Sequence, residues 1–170
     1  MTHIHEKIDF VVVAFLIRAN KVLLVHHIET NKWLPVGGHI ELDENPDQAL
    51  FREIEEETGL KKGNLKILSQ KFPFKDKNKK FLYTPNYLDI HVINPRHRHV
   101  GLTYIVISKT VKVHLKQDEH YQIRWFSADD IENRKYKIST NVKFYARMIL
   151  KIVSNNKKLN YKKTSIQKIP

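Results

Sequence analysis

Gly38 to Leu60 reads GHIELDENPDQALFREIEEETGL. Within it, Asn45-Pro46 is a helix start, because an Asn side chain caps free backbone N–H groups and proline is tolerated at the first helical position. Gln48 stands where it can reach back as in a capping box, and Asp47 complements the positive end of the helix dipole. Gly59 supplies a left-handed residue that ends the helix. The helix is therefore predicted over Pro46–Thr58, about three turns. On it Glu53, Glu56 and Glu57 recur at i, i+3 and i+4 and share one face, with Ala49 one turn earlier leaving room for a close approach. Leu50, Phe51 and Ile54 lie on the adjacent arc and can bury against a sheet. Like charges at these spacings repel by about 0.2–0.5 kcal/mol per pair, and Arg52 can relieve Glu56 but not all three. Carboxylates concentrated beside an apolar stripe point to a hard divalent cation with oxygen ligands. A solvated acidic face is the competing reading of such a run.

Gly38, Glu44, Arg52, Glu53, Ile54, Glu56, Glu57, Gly59 and Leu60 match, without a departure, the box G-x5-E-x7-R-E-U-x-E-E-x-G-U. The chain thereby resembles the Nudix hydrolases. The resemblance implies an α+β fold, an α/β/α sandwich around a mixed sheet, and hydrolysis of a nucleoside diphosphate linked to another moiety, of the NTP, dNTP or nucleotide-sugar type. It further implies Mg2+ or Mn2+ held by Glu53, Glu56 and Glu57, with the Gly38 carbonyl also facing a metal. Arg52 would brace the glutamates, Glu44 and Gly59 would shape the box, and Glu53 or Glu119 would act as general base.

At 170 residues the chain fits one domain, expected over 1–153 and followed by a basic, mobile tail over 154–170. It contains no cysteine, which excludes disulfides, thiolate metal sites and a cysteine nucleophile. The start lacks a signal-peptide pattern and no apolar run is long enough to span a bilayer, so a cytoplasmic protein without membrane association is expected. The formal charge is +12, with Lys157, Lys158, Lys162, Lys163 and Lys168 in a stretch free of acids and a second lysine group between Lys71 and Lys80. This favours polyanionic partners, a small nucleotide as readily as weakly held RNA. Monomer and homodimer are both compatible with the sequence.

Asp9 to Arg18 and Val22 to His27 are apolar, β-branched runs with Asn20 at the tip of the gap, which predicts a hairpin of strands buried on both faces. Trp33 to Gly38 reads as a strand entering the box, with Trp33 either stacked on a base or in the core. Gly37 and Gly38 allow close backbone approach to a ligand. Leu65–Leu68 is a further strand. It leads into Ser69-Gln70-Lys71-Phe72-Pro73-Phe74, which partly resembles the SQPWPFP signature of the NADH-pyrophosphatase branch and departs from it at Lys71, Phe72 and Lys75. Phe72 and Phe74 are accordingly expected in a substrate-side loop. The proline that marks ADP-ribose pyrophosphatases would fall near Asp76 and is absent, as is the tyrosine of dinucleoside polyphosphate hydrolases.

Phe81–Ile93 and Val100–Val111 read as a strand pair joined by Asn94 to His99. His97 and His99 share a face by the strand period of two, and His91 can meet them across the turn. Solvated hairpin histidines, phosphate or substrate contacts made together with Arg96 and Arg98, and a zinc site are the three readings, the last lacking an evident carboxylate. Gln122 to Phe126 looks like the family's RWF strand, and Glu119 before it is either a further metal ligand or a turn residue. Ser127 caps a short helix to Asn133. A longer helix is expected from Thr140 to Val153, with Val142, Ala146, Ile149 and Val153 turned to the sheet. A metal-dependent pyrophosphohydrolase is the leading functional expectation. A non-catalytic nucleotide- or RNA-binding module is the alternative, weakened by the intact carboxylate set. An isopentenyl-diphosphate isomerase would, by resemblance, need a cysteine.

Overall fold

The computed structural model describes residues 7–69, 76–115 and 120–159, with side chains described as far as residue 155. The organising element is β1, Ile8–Arg18, whose apolar residues from Val11 to Ile17 are covered on both faces while Ile8 and Phe10 are exposed. It turns through Ala19 and Asn20, both at positive φ, into β2, Lys21–His27. The two residues take the backbone that a tight hairpin turn demands. β3, Lys32–Leu34, lies antiparallel to β2, and β4, Val36–His39, lies antiparallel to the first half of β1. Pro35 divides what the sequence presents as a single strand, since proline has no N–H to give a ladder.

α1 spans Pro46–Thr58, with the Asn45/Gln48 capping box at its start and Gly59 in the left-handed conformation (φ 69°) at its end. After β5, Leu65–Ile67, come β6, Tyr87–Asn94, and β7, His97–Ser108. β7 runs parallel to β1 from Ile8 opposite Arg98 to Ile17 opposite Ile107. β6 and β5 lie antiparallel to it. β8, His120–Phe126, pairs with β2, so the sheet has eight strands and is mixed.

The residues expected to begin β6 do something else. Asp47 Oδ1 accepts from the Tyr83 N–H at 3.0 Å, and the Asn86 amide bridges the Leu68 carbonyl and the Ile105 N–H. Side chains thus take over part of the pairing that a strand over 81–86 would supply, while the Asn86 N–H still donates to the Thr103 carbonyl at 2.8 Å. The β6–β7 turn is also tighter than expected. Asn94 faces His97 across Pro95-Arg96, so His97 and His99 are strand residues and not part of the connection.

Side chains alternate across β1 and β7 and divide the core in two. Val12, Ala14, Leu16, Tyr104 and Val106 bury against Ala49, Leu50 and Ile54 of α1. Phe15, Ile17 and Ile105 bury on the opposite face, against α3, Thr140–Leu159, through Val142, Ala146, Ile149 and Val153. The result is helix, sheet, helix, the expected α+β sandwich. Ala49 fills core space and does not leave an opening beside the glutamates. α3 runs six residues past Val153, so the first part of the expected tail is helix; residues 160–170 lie outside those described. Between them stands α2, Ala128–Glu132, with Ser127 and Asp130 as a reciprocal cap.

Candidate active site

Arg52 is the hub of the box. Its Nη2 and Nε donate to both oxygens of Glu44, at 2.6 and 3.1 Å. Nη1 donates to Glu53 Oε1 at 2.8 Å and Glu56 Oε2 at 3.3 Å, and Nη2 also reaches the His39 carbonyl at 2.9 Å. A planar guanidinium can hold this many acceptors because its donors are fixed in a fork. The hydrogen bonds that Arg52 donates to Glu44, strongest among its influences, raise it above the usual arginine range. Burial pushes the Glu44 carboxyl up, but Arg52 and the Glu41 N–H outweigh it, and its pKa lies below the ordinary carboxylate value. Glu44 thus anchors Arg52.

The three glutamates lie in different environments. The Glu56 side chain is exposed and that of Glu53 largely shielded. Glu57 is buried, with Oε1 3.8 Å from His120 Nε2. A Cβ on Gly38 would fall 2.3 Å from Glu53 Oε1, so the space a side chain would need is taken by that carboxylate. Gly37 is equally crowded, but by the Val12 carbonyl of the neighbouring strand, at 2.1 Å from where its Cβ would be. The close approach there serves the sheet and not a ligand. Hard oxygen donors on one helical face, two of the three shielded, beside a glycine that yields space to one of them, fit a divalent cation such as Mg2+ or Mn2+.

His120 carries no motif signal that would have singled it out. It is buried at the start of β8, with its ring 5.3 Å from that of His27. Only the pairing of β8 with β2 brings it to Glu57. Trp33 resolves as core: it is buried, with ring contacts to Phe126 at 4.8 Å and Tyr136 at 6.2 Å. Glu119, Phe72 and Phe74 lie outside the described residues. Arg96 is exposed in the β6–β7 turn.

His97 and His99 do not fit the solvated reading, because both are buried. Their alternation along β7 matches that of Ile105, which packs on α3, so they project from the sheet face opposite α1. There Asp9 faces His99 across β1 and β7, and β4 delivers His39 beside them. The carboxylate beside His97 and His99 is therefore supplied by a strand about 90 residues earlier. Burial, and then the neighbouring His39, His91 and His97, push the His99 imidazole down to about 4.

A family model described as NUDIX domain matches residues 8–148. Among solved structures, the chain is similar to a hydrolase of the NUDIX family from Clostridium perfringens, at 28% identity and a TM-score of 0.71, covering 85% of this chain and 97% of that one. A MutT NUDIX hydrolase from Burkholderia pseudomallei shares the fold at 20% identity and a TM-score of 0.59, covering 86% and 98%. A C. elegans Ap4A hydrolase does so at 17% and 0.60, covering 85% and 98%. No curated protein matches the sequence.

Proposed function

This chain belongs to the NUDIX family of hydrolases, and we propose that it hydrolyses a nucleoside diphosphate linked to a further moiety, with Mg2+ or Mn2+ held by Glu53, Glu56, Glu57 and the Gly38 carbonyl. The substrate class is an NTP, dNTP or nucleotide-sugar type molecule. The observation that carries this reading is the Arg52 hub, which ties Glu44, Glu53, Glu56 and the His39 carbonyl into one rigid unit beside the buried Glu57.

Each residue has a distinct task. Arg52 fixes Glu53 and Glu56 against their mutual repulsion, so the carboxylates are positioned before substrate arrives. Glu44 holds Arg52 through its Nε and Nη2 donors. Glu57, shielded from water, presents a charge whose electrostatic effect is little screened. Glu53, Glu56 and Glu57 would hold a divalent ion, which when bound would offset the charge of the diphosphate and make a nearby water more acidic. A carboxylate accepts the proton of the water that attacks phosphorus, and Glu53 and Glu119 are the two candidates for that role. His120 orients Glu57 from β8 as a positioning residue. Arg96, exposed on the β6–β7 turn, is a candidate for contact with the distal part of the substrate. Phe72 and Phe74 are candidates for contact with its base.

The test is a panel of NTPs, dNTPs, nucleotide sugars, ADP-ribose, NADH, dinucleoside polyphosphates and capped RNA, each with Mg2+ or Mn2+ and with chelator. Divalent-dependent release of a nucleotide product from at least one small member is the expected result. Binding without turnover across the panel would replace the enzyme with a recognition module.

A further inference from the structure

We propose that Asp9, His39 and His99 form a second metal site, for a transition-metal ion of the zinc type, on the sheet face opposite the box helix. One ligand atom from each of the three lies within 4.8 Å of the others. Asp9 Oδ2 is 3.3 Å from His39 Nε2 and also 3.3 Å from His97 Nε2. A four-coordinate ion with bonds of about 2.0–2.1 Å sets its ligand atoms about 3.3–3.4 Å apart along each edge. The Asp9–His39 separation already matches that edge, and the His99 ligand atom lies within 4.8 Å of both.

The donor set selects the metal. Two imidazoles and one carboxylate suit zinc and its neighbours, whereas Mg2+ and Ca2+ prefer oxygen throughout. Rigidity favours it as well. Asp9, His39 and His99 sit on three hydrogen-bonded strands, so their relative placement is set by sheet register and not by loops. Asp9 is fully buried and His99 nearly so. A buried carboxylate is costly unless paired, and an imidazole hydrogen bond alone could pair it. Three imidazoles gathered on one carboxylate exceed that need.

The surroundings have the form of an outer shell. His97 approaches the same Asp9 oxygen and fixes the carboxylate, and groups of this kind tune ligands in metal sites generally. The His91 ring lies 5.7 Å from that of His99, and its Nδ1 is held by Asp89 at 2.8 Å. The site differs from the box centre in face, donors and preferred ion. They share one link, the His39 carbonyl that accepts from Arg52. An ion here would anchor β4, the strand that leads directly into the box loop.

The experiment uses the full chain, stripped with chelator and titrated with Zn2+ against a chromophoric competitor, with bound metal counted by mass spectrometry. The Glu53→Gln/Glu57→Gln double variant removes two of the three box glutamates and is expected to keep one tight equivalent of Zn2+. His99→Ala and His39→Gln are each expected to weaken that equivalent at least tenfold, with circular dichroism confirming the fold. Co2+ in place of Zn2+ should give a visible band of four-coordinate intensity in the double variant and lose it when His39→Gln is added. If the double variant binds no Zn2+, or if His99→Ala and His39→Gln bind it as tightly as the parent, the proposal is overturned. The titration of the parent does not depend on any variant folding.

Discussion

Glu57 is the box carboxylate most withdrawn from water, 4% exposed. Glu57→Gln keeps the side-chain volume and removes one charge, so the fold should be retained while turnover with Mg2+ falls by about 100-fold or more, the scale of losing one preorganised electrostatic group. Turnover at the parent rate would show that this helical face is not the reaction centre. Gly38 gives a complementary case. An alanine Cβ would meet the Glu53 carboxylate, which is the movable end of a side chain, so the backbone need not yield. Gly38→Ala should therefore melt close to the parent. Its turnover should fall by up to about 100-fold, because displacing a positioned group by an ångström is enough. Thermal melts and steady-state rates on the same preparation separate the two effects.

At the level of elements, α1 is fixed at both ends by its own sequence. The Asn45–Gln48 box satisfies the first N–H groups, and Gly59 ends the helix where β-carbons are disfavoured. Asn45→Ala should cost about 1 kcal/mol. For a chain of this size that lowers Tm by about 2–4 °C. A calorimetric scan that finds no change would mean that the Pro46 turn and the α1–sheet contacts hold this end unaided. The asymmetry of the β6–β7 hairpin belongs to the same scale. Its Pro95-Arg96 turn is exposed, yet His97 directly after it and His99 two residues further on are buried. β7 achieves this because it is flanked by β1 on one edge and by β6 on the other.

For the whole molecule the formal charge of +12 poses the question of nucleic acid. Single-stranded RNA bound through neutralised phosphates loses affinity with salt, with a slope of about −0.7 per phosphate. A small nucleotide engages few phosphates and should depend on salt more gently. Weak, strongly salt-sensitive RNA binding is therefore expected, while hydrolysis of a small substrate persists at ~150 mM salt. Filter binding and turnover measured across one salt series check this. Tight RNA binding at the upper end, without hydrolysis of any small nucleotide, would favour the recognition module. Among the described residues no helix is long and apolar enough to cross a membrane.

Short-range chemistry made the box helix, the first hairpin and the buried face of α3 legible from the sequence alone. A cap, a left-handed glycine and a 3.6-residue period act over a few residues, and each was present in full at these places. The Arg52 hub was partly legible, because Glu53 and Glu56 are its helical neighbours, whereas its bond to the His39 carbonyl was not. Strand periodicity put His97 and His99 on one face but could not say which face, or what stood opposite. Polar composition also made their segment resemble a loop, although neighbouring strands bury it. The parallel pairing of β1 with β7 decided that Asp9 meets His99, and the antiparallel pairing of β4 decided that His39 joins them. Such contacts link residues far apart along the chain, where no local preference specifies the partner, so only the closed sheet could bring one carboxylate and three imidazoles together.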